Sequence, residues 1–437
     1  MTTHADAQLD EPEYLPATGE HKPPYDPIDL SARSFWLQTA DEREQAFREL
    51  RRSRSVSWQR PVEDAVTPDP DDPGYWAVVR HEDIRTVSQD NETFVSRQGV
   101  LFDLLPDVFL EMSQSFLAMD DPKHGKLRNL VSAAFTPKQI RRVQDTIERR
   151  AASIVDGIMG RETVDFVADV AQQLPMHMFC DLFGVPDDLR EDVRAAAADV
   201  VAWLDPEVLG NRAADEVQVE ACVRLHDIAE QLVASRRESP TDDLMTALVT
   251  AEIDGERLDD FEIGSFFVLM AVAGTDTTTQ TSSFSMLALT EHPEQRTWLM
   301  EDFDGRIKVA LEEFLRWASP VMTFRRTAVK ETVLGGRRIV PGDKVVMFYP
   351  SGSHDETVFE APHVFRLDRS PNPHLAFGGG GVHFCLGNQL AKSMLTALFR
   401  ELLTRVPNGR AYEPVYMDSN FMRTIKRMRF DLGAGQE

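Results

Sequence analysis

The first half of the chain has the spacing of amphipathic helices. From about residue 107 to residue 250, apolar residues recur at intervals of three and four, and acids and bases fill the positions between them. This period places apolar side chains on one face of a helix. Gly, Pro and Asp interrupt the pattern at 184–188 and 237–243, so we predict several helices separated by short turns. An example of the spacing is the set Ile147, Ile154, Val155 and Ile158.

The second half combines strong helices with short strands. A very long helix is predicted from a cap at Asp259 or Asp260 to Pro293, with further helices over about 305–318 and 388–405. Alternating patterns predict a strand over 74–80, a hairpin within 331–348 and short strands at the end of the chain. The region between, 350–384, has no periodicity.

These elements predict a fold that is mainly α with small β-sheets. Residues 1–27 are acidic and rich in proline, and we expect them to form a flexible N-terminal arm. Residues 28–437 contain no internal repeat and no linker-like stretch, so we expect a single domain there.

Composition and charge narrow the class of protein. The 437 residues are 42% hydrophobic, which suits a folded globular chain. Lys+Arg 47 against Asp+Glu 72 gives a net charge of −25, which argues against nucleic acid as the main partner. The N-terminus has no signal-peptide pattern, and the longest apolar stretch, Ile263 to Gly274, is too short to span a membrane. We therefore expect a soluble, cytoplasmic protein.

Cysteine chemistry points to one position. The chain has three cysteines and no CxxC pair, which argues against a structural zinc site and a disulfide-stapled fold. Cys385 lies near the end of a glycine-rich run, just before a predicted helix. The run from Phe377 to Gly387 reads Phe-Gly-Gly-Gly-Gly-Val-His-Phe-Cys-Leu-Gly. Glycines let the backbone approach a flat cofactor, and a helix N-terminus stabilises a thiolate. The alternative is a plain loop with a small buried cysteine.

This segment resembles the haem-binding loop of the cytochrome P-450 family. Phe377 lies eight residues before the cysteine, where the family usually has seven, so Gly378 stands at the usual Phe position. The resemblance covers nearly the whole chain and implies a long central helix over haem b, with Cys385 as the iron ligand. Phe377 and Gly378 would lie against the cofactor. The residues at family positions are Gly381, His383, Cys385 and Gly387.

The long helix carries the run Ala273-Gly274-Thr275-Asp276-Thr277. Glycine and threonine are poor helix formers, and a threonine hydroxyl can divert the carbonyl four residues earlier and open a bulge. One reading is a closely packed helix with Asp276 in solvent. The resemblance instead implies Thr277 as the oxygen-activating alcohol, Asp276 as its acidic partner and Ala273 and Gly274 beside the haem.

Further motifs concern structure and cofactor binding. Glu313 and Arg316 share one helical face, and the resemblance implies a structural role for them, with Arg366 or Arg369 as partner. By its spacing from this pair, Arg326 fits the family's propionate-binding arginine better than Arg325. Each base could also be an ordinary surface residue. The resemblance implies four donors to the haem carboxylates, namely His124, Arg128, Arg326 and His383.

The stretch from Lys123 to Arg142 holds six basic residues and no acid, in an otherwise acidic chain. Such a patch suits docking of an acidic electron donor, and we expect a ferredoxin. Internal pairing with the surplus acids is the alternative.

The expected substrate pocket is apolar. By family position it is built from 99–117, 266–277, 321–324 and 419–422, which are rich in Phe, Leu, Val and Met. The last third of the chain resembles bacterial hydroxylases of terpenoids, sterols and methyl-branched lipids. It departs from them at Ser353-His354-Asp355, where Asn-Arg-Asp is usual. The pocket residues predicted individually are Phe267, Val272, Val321, Phe324 and Phe421.

These observations together predict a haem-dependent monooxygenase that inserts one atom of O₂ into a C–H bond. Its electrons are expected to come from NAD(P)H through a reductase and a ferredoxin. One alternative is a peroxygenase or isomerase on the same fold, although such proteins commonly lack the acid–alcohol pair that Asp276 and Thr277 retain. The other is a non-catalytic haem- or lipid-binding protein.

Overall fold

The computed structural model describes residues 22–132, 135–253 and 256–433. About 53% of the chain is helical, and the sheets are small, which confirms the predicted fold class. The helices of the described residues are α1 (Arg33–Trp36), α2 (Ala40–Ser53), α3 (His81–Gln89), α4 (Asp107–Gln114), α5 (Lys123–Ser132), α6 (Pro137–Ile158), α7 (Gln173–Phe183), α8 (Arg190–Val201), α9 (Pro206–Leu209), α10 (Ala214–Glu238), α11 (Leu244–Thr250), α12 (Asp260–Ala273), α13 (Asp276–Glu291), α14 (Pro293–Glu301), α15 (Phe303–Ala318), α16 (Tyr349–Ser353) and α17 (Asn388–Arg405).

The strands form a five-stranded sheet in the order β1-β2-β10-β7-β3, a three-stranded sheet β11-β12-β4 and the two-stranded pairs β5-β6 and β8-β9. In the larger sheet, β10 runs parallel to β2 and antiparallel to β7. The strands are β1 (Val56–Gln59), β2 (Tyr75–Val78), β3 (Phe94–Val95), β4 (Thr163–Asp165), β5 (Glu252–Ile253), β6 (Glu256–Arg257), β7 (Thr323–Ala328), β8 (Thr332–Leu334), β9 (Arg337–Ile339), β10 (Lys344–Phe348), β11 (Arg410–Tyr416) and β12 (Ile425–Asp431).

The predicted long central helix is divided in two. It starts as expected, because the Asp259 carboxylate accepts the Glu262 backbone N–H at 2.7 Å and forms a capping box. It breaks between Ala273 and Asp276, where the Thr275 hydroxyl donates to the Ala271 carbonyl at 2.5 Å. The predicted diversion of a carbonyl therefore occurs, and it interrupts the helix.

One other expectation needs correction. Pro293 ends one helix but is also the first residue of α14, a helix that the pattern did not predict. Proline suits this position because the first turn needs no N–H from it. Residues 1–21 of the predicted arm lie outside the described residues, but Lys22 pairs with Asp343 and lies over the Trp58 ring. The Asp26 backbone N–H also donates to the Trp58 carbonyl at 2.8 Å, so Lys22 and Asp26 both contact the large sheet.

The two central helices hold the interior together. Helix α12 contacts α4, α8 and α10, while α13 contacts α15, α7 and α17. Helix α12 is apolar on most sides, whereas α13 buries Thr and Ser side chains whose hydroxyls donate to backbone carbonyls four residues earlier. Within the described ranges, none of the helices has the length and apolar character needed to cross a membrane.

Candidate active site

A cavity of about 230 Å³ lies beside the α12–α13 break and the loop before α17. Among the described residues that line it, the charged ones are Arg128 and Arg326. The rest of the wall is largely apolar, which suits an apolar occupant. Its apolar side chains include Phe116, Leu117, Phe135, Met178, Phe179, Leu182, Leu269, Met270, Val321 and Phe324.

Cys385 lines this cavity, whereas Cys180 and Cys222 are buried elsewhere. Burial raises the pKa of Cys180 and of Cys222 to about 12, so both remain thiols. Burial also raises the pKa of Cys385, but a hydrogen bond from the Gly387 backbone and the charge of Arg128 oppose the increase. A bound metal ion would complete the deprotonation, because a coordinating thiol loses its proton.

The glycine loop takes its shape from helix α3. Gly378, Gly380 and Gly381 have φ of +93°, +95° and +75°, which favour glycine. A Cβ on Gly381 would lie 2.3 Å from the backbone oxygen of Ser88, at the end of α3. The Gln89 amide donates to the Gly379 carbonyl at 2.9 Å. Positive φ at three of the four glycines, and close packing on α3 at Gly379 and Gly381, thus explain the run.

Phe377 and Gly378 both line the cavity, and Cys385 donates its backbone N–H to the Phe377 carbonyl at 3.0 Å. This bond closes the loop on itself. Phe377 thus still lines the cavity, although it lies one residue further from the cysteine than is usual in the family.

The four predicted carboxylate-binding residues lie near one another. Arg326 and His383 line the cavity, as does Arg128, which donates to the Phe384 carbonyl. His124 does not line it, but its ring centroid is 4.2 Å from that of His383. Arg325 is turned away and donates to the Gln98 carbonyl at 2.7 Å. The predicted choice of Arg326 over Arg325 thus agrees with the side of β7 on which each side chain lies.

Several buried ring nitrogens in this group lack hydrogen-bond partners. Nδ1 of His383 and both ring nitrogens of His124 have no hydrogen bond within the described part of the chain. The Asp121 carboxylate is 3.7 Å from His124 Nδ1, too far for one. Burial and the nearby cations lower the pKa of His383 to about 2. Such orphaned groups fit an anionic ligand, and two haem carboxylates would satisfy them.

The α12–α13 break opens onto the cavity. Ala273, Gly274 and Thr277 line it, and the Thr277 hydroxyl donates to the Ala273 carbonyl at 3.0 Å. The Thr277 oxygen can still accept a hydrogen bond from a molecule in the cavity. Asp276 lies next to it in the chain, and burial raises the pKa of this carboxyl to about 7. A group with that pKa can both hold and release a proton near neutral pH.

Three predicted pocket residues do not line the cavity. Phe267 is fully buried on another side of α12, with its ring 5.2 Å from that of Phe179. Val272 packs in the same core, and Phe421 lies behind Phe324, with ring centroids 5.7 Å apart. A helix that is apolar all round gives no sign of which face meets the cavity.

Other lining residues were missed. Met178 and Leu182 come from α7, which the family positions did not include. Tyr349 also lines the cavity, because antiparallel pairing of β10 with β7 brings it to 6.1 Å from the Phe324 ring. Only the sheet register could have revealed it.

Glu313 and Arg316 form the centre of a buried network. Both side chains are fully buried, and Arg316 Nη2 donates to Glu313 at 2.7 Å. Glu313 also accepts from Arg369 Nε at 3.1 Å and from the Asn372 amide at 3.0 Å. Of the two predicted partners, Arg369 supplies its side chain and Arg366 its backbone N–H. The network fastens α15 to the segment before the cysteine loop.

The unusual Ser353-His354-Asp355 segment belongs to the same region. Ser353 uses its carbonyl to accept from Arg316 at 3.1 Å, and Asp355 accepts the His81 backbone N–H at 2.9 Å. The His354 ring contacts Trp317 and bonds the Pro350 carbonyl, and burial lowers its pKa to about 3. A neutral histidine thus fits beside Arg316 without adding a second positive charge.

A cysteine sulfur at the wall of a largely apolar cavity, with Arg128 and Arg326 in the same wall, fits a protein that binds an anionic cofactor through a thiolate. That class is the haem-thiolate proteins.

The chain belongs to the cytochrome P-450 family, since the Cytochrome P-450 family model matches residues 74–406. It is 36% identical to the methyl-branched lipid omega-hydroxylase of Mycobacterium tuberculosis, over 92% of this chain and 94% of that protein. It is 35% identical to the steroid C26-monooxygenase of Mycolicibacterium smegmatis, over 89% and 90%. The protein is therefore a cytochrome P-450 monooxygenase, of a family that uses haem and iron.

Solved structures agree with this fold. A Mycobacterium marinum cytochrome P-450 in complex with pseudoionone has a TM-score of 0.93 and 53% identity, covering 94% of this chain and all of that one. A Bacillus megaterium cytochrome P-450 in complex with testosterone has a TM-score of 0.75 and 26% identity, covering 89% and 99%.

Proposed function

We propose that this protein hydroxylates an apolar small molecule of the terpenoid, sterol or methyl-branched lipid type. The observation that carries the proposal is the cavity wall, which is apolar over the part away from Arg128 and Arg326. An apolar wall binds hydrocarbon surface and offers no charged partner to a polar substrate. The names and ligands of the relatives fall in the same chemical range.

The cavity residues have separate roles in this proposal. Haem, when bound, supplies the iron at which O₂ is activated, and a thiolate ligand favours cleavage of the O–O bond. Cys385 is the proposed ligand, and Gly387 stabilises its negative charge through the backbone N–H. Arg128, Arg326 and His383 would hold the two haem carboxylates, and His124 lies against the His383 ring. Ala273, Gly274, Phe377 and Gly378 line the cavity and would contact the haem, and Val321 and Phe324 would contact the substrate.

A ligand screen tests the substrate class. The holoprotein is titrated with pseudoionone, testosterone and a methyl-branched fatty acid, and the shift of the Soret band towards high spin is recorded. Each ligand that gives the shift is then incubated with O₂ and an electron source, and products are analysed by mass spectrometry. A gain of one oxygen atom is expected. Preference for charged, water-soluble ligands would contradict the proposal, and turnover only with hydrogen peroxide would favour a peroxygenase.

Replacement of the acid–alcohol pair is expected to uncouple electron consumption from product formation. Thr277→Ala removes the hydroxyl at the cavity, and Asp276→Asn removes the carboxyl that releases a proton near pH 7. Loss of such a proton relay lowers product formation by about 10²-fold. NAD(P)H continues to be consumed, so the ratio of product to NAD(P)H falls.

The pH dependence has a definite sign. The Asp276 carboxyl is protonated below a pKa of about 7 and ionised above it, so coupling in the unaltered protein falls as pH rises through that value. Asp276→Asn has no proton to lose and shows no such step. Thr290→Ala, in the same helix but outside the cavity lining, is the control. Unchanged coupling in both variants would exclude the relay.

We propose that a ferredoxin docks on the basic surface formed by Lys138, Arg141 and Arg142 of α6, which are exposed. Two of the six basic residues between Lys123 and Arg142 have partners within the protein. Lys123 forms an ion pair with Glu262, and Arg128 donates to the Phe384 carbonyl. Charge steering weakens as salt rises. Reduction by an acidic ferredoxin is therefore expected to slow with ionic strength.

Charge reversal locates this surface. Lys138→Glu and Arg142→Glu are expected to slow reduction at low salt by about tenfold, as loss of steering does. Arg338→Glu, on the exposed β8–β9 hairpin, is the matched control and leaves the rate unchanged. A reduction rate that is independent of salt concentration and unchanged in both α6 variants would exclude this surface as the docking site. Reduction is followed by stopped-flow absorbance.

A further inference from the structure

A buried carboxylate joins three segments beside the cavity. Asp103, in the loop before α4, is only 4% exposed. It accepts the Trp203 indole N–H at 3.2 Å and the Val66 backbone N–H at 3.4 Å, and the Asn420 side chain also hydrogen-bonds it. Burial raises the pKa of Asp103 to about 6, so the carboxylate is still mostly ionised at neutral pH. One carboxylate has lone pairs for all of these donors.

A row of aromatic rings leads from this carboxylate to the cavity. Trp203 is stacked on Phe421, with centroids 5.7 Å apart and ring planes at 23°. Phe421 contacts Phe324, also at 5.7 Å, and Phe324 lines the cavity. Phe421 lies outside the lining, so it transmits the position of Trp203 to the wall without touching the occupant.

We propose that Asp103 is a positioning residue that sets the size of the substrate cavity. It holds Trp203 against Phe421 and thereby fixes the Phe324 wall. The inference rests on the proposed function, because it assumes that an apolar ligand occupies this cavity. It assigns size selection to a residue in a loop outside the cavity lining.

The surroundings of Asp103 favour a positioning role over a role in core packing alone. Burying an ionised carboxylate among neutral donors is costly, and an apolar residue would fill the same space at lower free energy. The turn that carries Trp203 also has a separate attachment, because Lys426 pairs with Asp205 at 2.9 Å and with Glu207 at 2.7 Å. Loss of the Asp103 contact would therefore release the indole while the turn remains attached.

Two variants separate the hydrogen bond from the packing. Trp203→Phe keeps an aromatic ring against Phe421 but removes the N–H, and Asp103→Ala removes the acceptor. Trp76→Phe is the matched control, because the buried Trp76 indole donates to Asp343 at 2.8 Å within the large sheet. Thermal unfolding of all three reports any general loss of stability. Should Asp103→Ala fail to fold, Trp203→Phe alone carries the test.

The readout is size selectivity among azoles that bind haem iron through nitrogen. The holoprotein is titrated with imidazole, 4-phenylimidazole and clotrimazole, and dissociation constants are taken from the Soret shift. The ratio of the clotrimazole to the 4-phenylimidazole constant is expected to fall by about fivefold or more in Trp203→Phe and Asp103→Ala, the scale on which pocket size discriminates. Imidazole is expected to bind equally in every variant, and Trp76→Phe to keep the original ratio.

The outcomes are distinguishable. An unchanged ratio in Trp203→Phe, or an equal change in Trp76→Phe, overturns the role of Asp103. A change in imidazole binding that matches the change for the larger azoles also overturns it, because the effect would then lie at the iron and not at the wall. Absence of any imidazole shift in the unaltered protein would instead refute the proposed haem site.

Discussion

Replacing Cys385 with alanine is expected to abolish the red-shifted, thiolate-type Soret band of the reduced protein with CO. The reason is that Cys385 is the one cysteine of the three that lines the cavity. A neutral or nitrogen ligand donates less electron density to iron, and oxygen activation then fails. We expect product formation to drop below detection while haem is partly retained by the carboxylate-binding residues.

The control for this prediction is Cys222→Ala. Cys222 is fully buried in a helix core, and burial raises its pKa to about 12, so it is neither at the cavity nor ionised. This variant is expected to keep the spectrum with at most a modest loss of stability. A thiolate-type spectrum that persists in Cys385→Ala would overturn the assignment of the iron ligand and, with it, the reading of the glycine loop.

Glu313→Ala is expected to be the most destabilising single substitution in the network of α15. It leaves Arg316 and Arg369 buried without their shared carboxylate, and Arg316 is fully buried. Removing one partner of a buried ion pair costs about 3–5 kcal/mol, since the remaining charge stays uncompensated. The midpoint of urea unfolding, followed by far-ultraviolet circular dichroism and by the Soret band, measures the loss.

A matched exposed pair serves as the control. Arg338 and Glu331 are 2.9 Å apart, but each side chain is 57% exposed. Breaking this pair with Glu331→Ala is expected to leave the unfolding midpoint unchanged, because solvent screens the interaction. If Glu313→Ala were as mild as Glu331→Ala, the network would not fasten the cysteine loop as the structure indicates.

Local patterns predicted most of the regular structure. Helix α17 begins and ends where the period of apolar residues begins and ends, and β2 lies within the predicted strand. The acid–alcohol run was predicted to disturb the central helix, and the hydroxyl-to-carbonyl bonds of Thr275 and Thr277 are found there. These features depend on residues four or fewer positions apart, so the chain itself contains the information.

Side-chain direction on a buried helix was not predictable. Phe267 and Met270 lie on the same apolar helix, yet Met270 lines the cavity and Phe267 packs on Phe179. A pattern of apolar residues marks a buried face only when the opposite face is polar. The packed neighbours of α12 decide which side chain meets the cavity.

Short motifs in the chain are enough to predict the chemical class of this protein. The cysteine loop, the acid–alcohol run and the Glu313-x-x-Arg316 pair are short motifs, and each specifies its chemistry through neighbours in the chain. How these parts meet depends on long-range packing: the contact of α3 with the glycines, the unpaired ring nitrogens of His124 and His383, and the aromatic row behind Phe324. These contacts join segments far apart in the chain, and their geometry is set by close packing and strand register, which no local pattern encodes.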